Sequence, residues 1–156
     1  MEQRINFAET GQGALKAMLT FSAYLSKSGL EEPLLKLLDF RVSQINGCAY
    51  CLDMHSKDLR AAGETEQRLY LLDAWRESSF YTERERAALA WAEAVTLVRE
   101  GHVPGDVYEQ ARAQFSEEEM VSLTLAVVAI NGWNRFNIAF RTEPGSYKPG
   151  AWHAAA

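Results

Sequence analysis

Apolar residues recur along this chain at intervals of three and four, the repeat of a helix with one buried face. Leu15, Met18, Leu19, Ser22 and Leu25 share one stripe and predict a first helix over about Gln12 to Lys27. Thr10 lies near its cap and Gly29 just past its end. A second helix is expected to open at "EEPLL", where two acids and Pro33 suit a first turn. Its stripe is Leu34, Leu38, Val42 and Ile45, and Gly47 can end it. "TERE" (82–85) and "SEEE" (116–119) both read as capping boxes before helical runs. Gly63 and Gly101 read as helix stops and Pro104 as a new start. No clean period-two alternation with hairpin turns appears anywhere. The pattern predicts one all-α domain over residues 1–156, a bundle of about six to seven helices. The segment from Glu143, "EPGSYKPGAWHAAA", is expected to be extended or loose.

One tripeptide occurs twice. Ile45, Asn46 and Gly47 close "EEPLLKLLDFRVSQING", and Ile130, Asn131 and Gly132 close "EEEMVSLTLAVVAING". Both stretches open on acids and run through an apolar helix. They predict an internal duplication of a helix–break–helix unit, in which Gly serves the break by tolerating left-handed backbone. Chance similarity of two amphipathic helices is the alternative. Only the first copy is followed by cysteines.

Composition narrows the classes. At 156 residues, 47% hydrophobic and 24% charged, this is an ordinary globular composition. A domain of that size buries roughly 68–70% of its unfolded surface. The net charge of −5 argues against a nucleic-acid partner, and no basic stripe faces a membrane. The start, "MEQRINFAET", lacks the apolar stretch of a secretory signal. "LTLAVVAI" is too short to span a bilayer. These features predict a cytoplasmic location, where structural disulfides are rare.

The chemistry concentrates in "CAYCLDMH", which holds the chain's two cysteines. On a helix starting at or just before Cys48, one face carries Cys48, Cys51, Leu52, His55, Leu59 and Ala62. Asp53, Ser56, Lys57 and Arg60 lie on the other. Cysteines one turn apart at a helix start can close a disulfide, and the positive end of the dipole favours thiolate. His55, four residues after Cys51, can take or return a proton. The bland alternative is two buried cysteines and a satisfied histidine. A c-type haem signature needs His directly after the second Cys, where Leu52 stands. A structural zinc site needs a fourth ligand, and only His102 and His153 remain, so no bound metal is expected. A thioredoxin motif would need a βαβ setting.

"CAYCLDMH" after "RVSQING" resembles the Cys-x-x-Cys-x-x-x-His signature of the alkylhydroperoxidase D-like branch of the carboxymuconolactone decarboxylase family. The resemblance extends over about residues 12–142, including "ERAALAWAEAVTLV" and "INGWNRFNIAFR". It implies an all-helical fold, a homo-oligomer (trimer or hexamer) and thiol-dependent reduction of hydroperoxides with an external thiol or dithiol reductant and no cofactor. It makes Cys51 the attacking thiolate, Cys48 the resolving partner and His55 the base of a proton relay. The family's glutamate twelve residues before the first cysteine is Lys36 here. Tyr50 stands where some relatives keep a histidine, either to donate a hydrogen bond or to pack. Lys36 is either a solvated partner of Asp39 or an ammonium placed beside the thiols. Glu93 is a candidate replacement for the missing carboxylate, although an exposed helix face is the favoured reading. Asn131 and Asn134 either line the pocket or satisfy a helix break. A redox-sensing module without turnover and a lactone decarboxylase, the family's other activity, are the alternative functions.

Overall fold

The computed structural model describes residues 2–151. Among these residues it is all-helical, with eight α-helices: α1 (Phe7–Thr10), α2 (Gln12–Leu25), α3 (Glu32–Asn46), α4 (Ala49–Ala61), α5 (Glu66–Leu71), α6 (Glu83–Thr96), α7 (Gly105–Arg112) and α8 (Glu117–Phe140). Short 3-10 segments at Leu72–Glu77 and Val98–Glu100 follow α5 and α6. The count exceeds the six to seven expected, because helices as short as α1 and α5 offer too few positions to show a stripe.

The second helix forms as its sequence predicts. Leu34, Leu38 and Val42 are buried, with Leu37 and Phe40 beside them, and this wide apolar face lets α3 sit centrally against α4, α6 and α8. Each such fully buried side chain contributes about 1.5–3 kcal/mol relative to its exposed state. Leu72, Leu89, Leu123 and Val127 complete the same core. Both capping boxes form. Thr82 and Ser116 accept from the backbone N–H of Glu85 and Glu119, whose carboxylates return the bond to the cap N–H. The first helix differs. Thr10 lies inside α1, and Gly11 takes the N-cap position of α2 without a side-chain bond. Of the α2 stripe only Leu25 is buried, because α2 packs on α8 alone among the long helices.

The two tripeptides part company here. At the first copy α3 stops. Gly47 adopts φ +66°, its N–H reaches Gln44 O (3.2 Å) and the N–H of Cys48 reaches Ser43 O (3.1 Å). This is a Schellman closure, whose left-handed residue favours glycine. At the second copy nothing stops, since α8 continues through Gly132 to Phe140. The duplication of a break is therefore not observed. Gly132 instead permits a close helix approach: a Cβ there would meet Met18 Cε of α2 at 2.8 Å.

The segment after α8 is extended but not loose. Lys57 Nζ donates to Gly145 O (3.0 Å) and Tyr147 O (3.2 Å), and Gly145 N–H donates to Asp53 Oδ2 (2.9 Å). The Tyr147 hydroxyl donates to the Asp58 carboxylate (2.9 Å), with its ring buried. Burial and then that bond push the Tyr147 phenol up to about 12. The segment is a strap on the polar face of α4, the face expected to meet solvent. The rest of the expected tail, including His153, lies outside the described residues. No helix among the described residues is long and apolar enough to cross a membrane.

Candidate active site

The residue that closes α3 also opens α4. Cys48 is the N-cap of α4, and its Sγ accepts the backbone N–H of Cys51 at 3.4 Å. Its backbone is thus pinned from one side by Ser43 and its sulfur from the other by the first turn of the next helix. With the Cα atoms 5.3 Å apart, Cys48 and Cys51 are joined in a disulfide. Both sulfurs sit where helix N–H groups and dipole favour negative charge. The inward face of α4 follows the sequence expectation as far as Leu59: Cys48, Cys51, His55 and Leu59 are buried and Leu52 is half-buried. Ala62, expected on the same face, is exposed because it is the C-cap, just past the end of the helix.

His55 is 8% exposed, and its Nε2 is a buried atom without a hydrogen-bond partner. Burial, reinforced by the field of the Lys36 ammonium, lowers its pKa to about 4. The ring is accordingly neutral at pH 7, with a lone pair to offer. Lys36 pairs with Glu32 Oε1 at 2.7 Å on the adjoining turn of α3 and is largely covered. Its charge also acts on Asp39, one turn further along α3. There, loss of hydration outweighs the attraction of Lys36 and pushes the carboxyl up to about 8. Lys36 therefore lies close enough to His55 to influence it, and Asp39 is its neighbour on α3. Tyr50 is half-buried beside α4's first turn, close enough to Tyr147 to raise its pKa.

Asn131 and Asn134 belong to a bridge that links α8 to α3. Asn46 Nδ2 donates to Asn131 Oδ1 (2.9 Å) and Asn134 Oδ1 (2.8 Å). Asn134 Nδ2 donates to Ser43 Oγ (3.0 Å), which donates to Asp39 O (2.7 Å). Asn131 Nδ2 is taken up by Thr96 Oγ1 and Val127 O. The two asparagines secure the break in the other helix, α3, rather than one in their own.

Glu93 is not on an exposed face. Its side chain is 12% exposed and accepts from Arg41 Nε (2.7 Å), Trp75 Nε1 (2.9 Å) and Arg76. Burial pushes its carboxyl up, but these three donors outweigh that and hold it below the usual range. Its partners lock α6 to α3 and to the 3-10 segment. The role of a replacement carboxylate does not fit a group whose oxygens are already so occupied.

The sequence reading missed Asn137. Its Nδ2 donates to Trp133 O at 3.0 Å and to Cys51 Sγ at 3.5 Å, and the residue is 7% exposed. A signal for it existed, because Asn131, Asn134 and Asn137 recur at intervals of three in an otherwise apolar helix. Beside the site, an open groove of about 500 Å³ runs along the α3–α4 seam, lined by Phe40, Gln44, Leu52, Asp53, Ser56, Leu69 and Tyr70. No group of three His, Cys, Asp or Glu side chains among the described residues is placed to hold a metal.

Known proteins resemble this chain in sequence and in fold. The profile of the carboxymuconolactone decarboxylase family matches residues 12–94. The uncharacterized protein YdfG of Bacillus subtilis is 41% identical over 146 residues, 94% of this chain and 99% of that one. The alkyl hydroperoxide reductase AhpD of Streptomyces coelicolor is 37% identical over 81 residues, covering 50% of this chain and 45% of that one. A crystal structure from Agrobacterium tumefaciens superposes with TM-score 0.89 at 45% identity, covering 94% of this chain and all of that one. That protein is described as of unknown function, with a suggested antioxidant defence role of the AhpD kind.

Proposed function

This chain belongs to the carboxymuconolactone decarboxylase family, in its alkylhydroperoxidase D-like branch, and from that premise we propose that it reduces hydroperoxides through Cys48 and Cys51. The observation that carries the reading is the capped start of α4, where the two sulfurs form a disulfide one turn before a buried, neutral imidazole. A decarboxylase would not need that pair.

In the reduced protein His55 takes the Cys51 proton. The Cys51 thiolate attacks the terminal oxygen of the hydroperoxide, the O–O bond breaks, and the alkoxide leaves with the proton from His55 as an alcohol. Cys51 is then a sulfenic acid. Cys48, its proton passed to His55, attacks the Cys51 sulfur. Hydroxide departs, takes that proton and becomes water, and the disulfide is closed. An external dithiol restores the pair by exchange. Net, one hydroperoxide and one dithiol yield alcohol, water and a disulfide. Lys36 helps by keeping His55 unprotonated before each proton transfer, and its positive charge favours a nearby thiolate.

Burial supports a second reading. Cys48 is 0% and Cys51 1% exposed, which hinders attack by an external reductant and so fits a redox-sensing disulfide that closes once without turnover. Multiple-turnover consumption of an organic hydroperoxide by purified protein with a dithiol decides between them. Turnover supports the peroxidase. Oxidation of the two thiols once, with no further consumption in excess dithiol, supports the sensor. The proposal extends to a homo-oligomer, trimer or hexamer, since α8 leaves Val121 and Val128 exposed and α2, packed on it, leaves Phe21 and Tyr24 exposed. Light scattering showing a monomer at micromolar concentration would contradict it.

A further inference from the structure

Among the described residues, three buried side-chain polar atoms have no hydrogen-bond partner: His55 Nε2, Asn137 Oδ1 and Thr142 Oγ1. Leaving such an atom unpaired costs about 1–3 kcal/mol, so natural proteins rarely leave one without a reason. All three belong to one neighbourhood. Asn137 touches the Cys51 sulfur, His55 follows Cys51 by one turn on the same face of α4, and the Thr142 N–H is bonded to Asn137 O at 3.0 Å. Asn134, one turn earlier on α8, is fully buried and spends both ends of its amide inside the protein. Asn137 spends only its donor end.

We propose that Asn137 is a fourth catalytic residue, beside Cys48, Cys51 and His55, its Nδ2 donating to the Cys51 thiolate and its Oδ1 receiving the O–H of the incoming hydroperoxide. One amide would then hold both reacting atoms, the nucleophilic sulfur and the oxygen it attacks. A planar amide suits this task because its donor and acceptor project from one rigid group. A donor already in place stabilises charge without reorganisation at the moment of reaction. Bound hydroperoxide also supplies the hydrogen that Oδ1 lacks. The assignment rests on the peroxidase reading for its second half only, since stabilisation of a thiolate needs no peroxide.

The test uses the full chain, reduced, in wild-type, Asn137→Ala and Asn137→Asp forms. First, Cys51 alkylation by iodoacetamide is followed against pH, with the modified cysteine located by peptide mass. Loss of the donor should move the Cys51 profile up by roughly one pH unit in Asn137→Ala, and further in Asn137→Asp, where a carboxylate faces the thiolate. Superimposable profiles in folded variants overturn the donor role, because a merely structural amide would alter melting and not ionisation. Second, the single-turnover rate with cumene hydroperoxide is measured at a pH where Cys51 is ionised in every form. Asn137→Ala should remain about tenfold or more slower there. Convergence with wild type at that pH overturns the acceptor role. If the variants show the expected alkylation shift but wild type consumes no peroxide, the peroxidase reading and the acceptor role fall together and the donor role stands. If Asn137→Ala does not fold, Asn137→Asp carries the first measurement and Asn137→Leu, of similar size and without donor or acceptor, carries the second.

Discussion

Asn46 and Asn131 occupy the same place in the same tripeptide, and they are hydrogen-bonded to each other at 2.9 Å. Their helices behave oppositely. After Asn46 the chain turns through a left-handed Gly47 and restarts on a cysteine cap. After Asn131 the helix runs on for nine more residues, to Phe140. The difference lies downstream of the tripeptide. The first Gly is followed by a residue whose backbone closes one helix and whose side chain caps the next. The second is followed by "WNRF", with no capping side chain at that position and good helix continuity. A glycine permits a break; it does not impose one. Chemistry collects where the break exposes a fresh helix start, and the uninterrupted copy supplies the amides that hold it.

The strongest way to sharpen that contrast is to remove the chemistry from the first copy. Cys51→Ser should abolish peroxide turnover, whereas Cys48→Ser should allow one stoichiometric reaction and leave a trappable sulfenic acid. Equal single-turnover rates for Cys51→Ser and wild type would reverse the two roles.

Cutting the bridge comes next. Asn46→Ala leaves the buried Asn134 Oδ1 without its donor, while Asn131 Oδ1 keeps Arg135 Nη1. A loss of about 1–3 kcal/mol in urea unfolding is expected. Asn131→Ala leaves Asn46 bonded to Asn134 but also removes the bonds of Asn131 Nδ2 to Thr96 Oγ1 and Val127 O, so a loss of similar size is expected.

The glycines test the break itself. Gly47→Ala forces a side chain into φ +66° and should cost about 1–2 kcal/mol. Gly132→Ala gains helix propensity of up to about 1 kcal/mol. Against that it presses on the mobile end of Met18, so its net change should be near zero. Equal losses at the two sites would mean that both glycines are needed for backbone conformation, against the structure.

A separate contrast lies in the pH dependence of the oxidised protein. His55 has a folded pKa of about 4 against an ordinary 6.5, so on its own it adds stability as pH rises between those values. Asp39 has about 8 against an ordinary 3.8, so its contribution is lost as pH rises across that span. From pH 4 to 6.5 the two cancel, and from 6.5 to 8 stability should fall with pH. Asn at position 39 leaves His55 alone, so in Asp39→Asn stability should rise up to about pH 6.5 and then hold level. A wild-type urea midpoint that climbs between pH 6.5 and 8 would contradict the raised Asp39 pKa.

Much of this was readable beforehand. Spacing alone placed Cys48, Cys51 and His55 on one inward face, and the capping boxes at Thr82 and Ser116 formed as written. What spacing could not reveal were contacts between residues far apart in sequence. Glu93 reads as an ordinary acid on a helix until Arg41, 52 positions away, is brought against it. Asn137 meets Cys51 across 86 positions. The strap escaped notice because Gly145, Tyr147 and Gly150 carry no periodicity, and Lys57, Asp53 and Asp58 look like ordinary solvated charges until backbone arrives to bond them.

That strap has a consequence in time. Its bonds to α4 join residues 88 to 92 positions apart. At a synthesis rate of about 5–20 residues per second, roughly 5–18 s separate the appearance of the cysteine helix from that of its outer clasp. Asn137, on the inner side, arrives only slightly earlier. For that interval a growing chain carries its two thiols with neither the α8 amide nor the strap in place, open to whatever oxidants and reductants surround the ribosome. The redox state in which α4 is first enclosed is therefore set by the surroundings of the growing chain, before any cycle of the folded site.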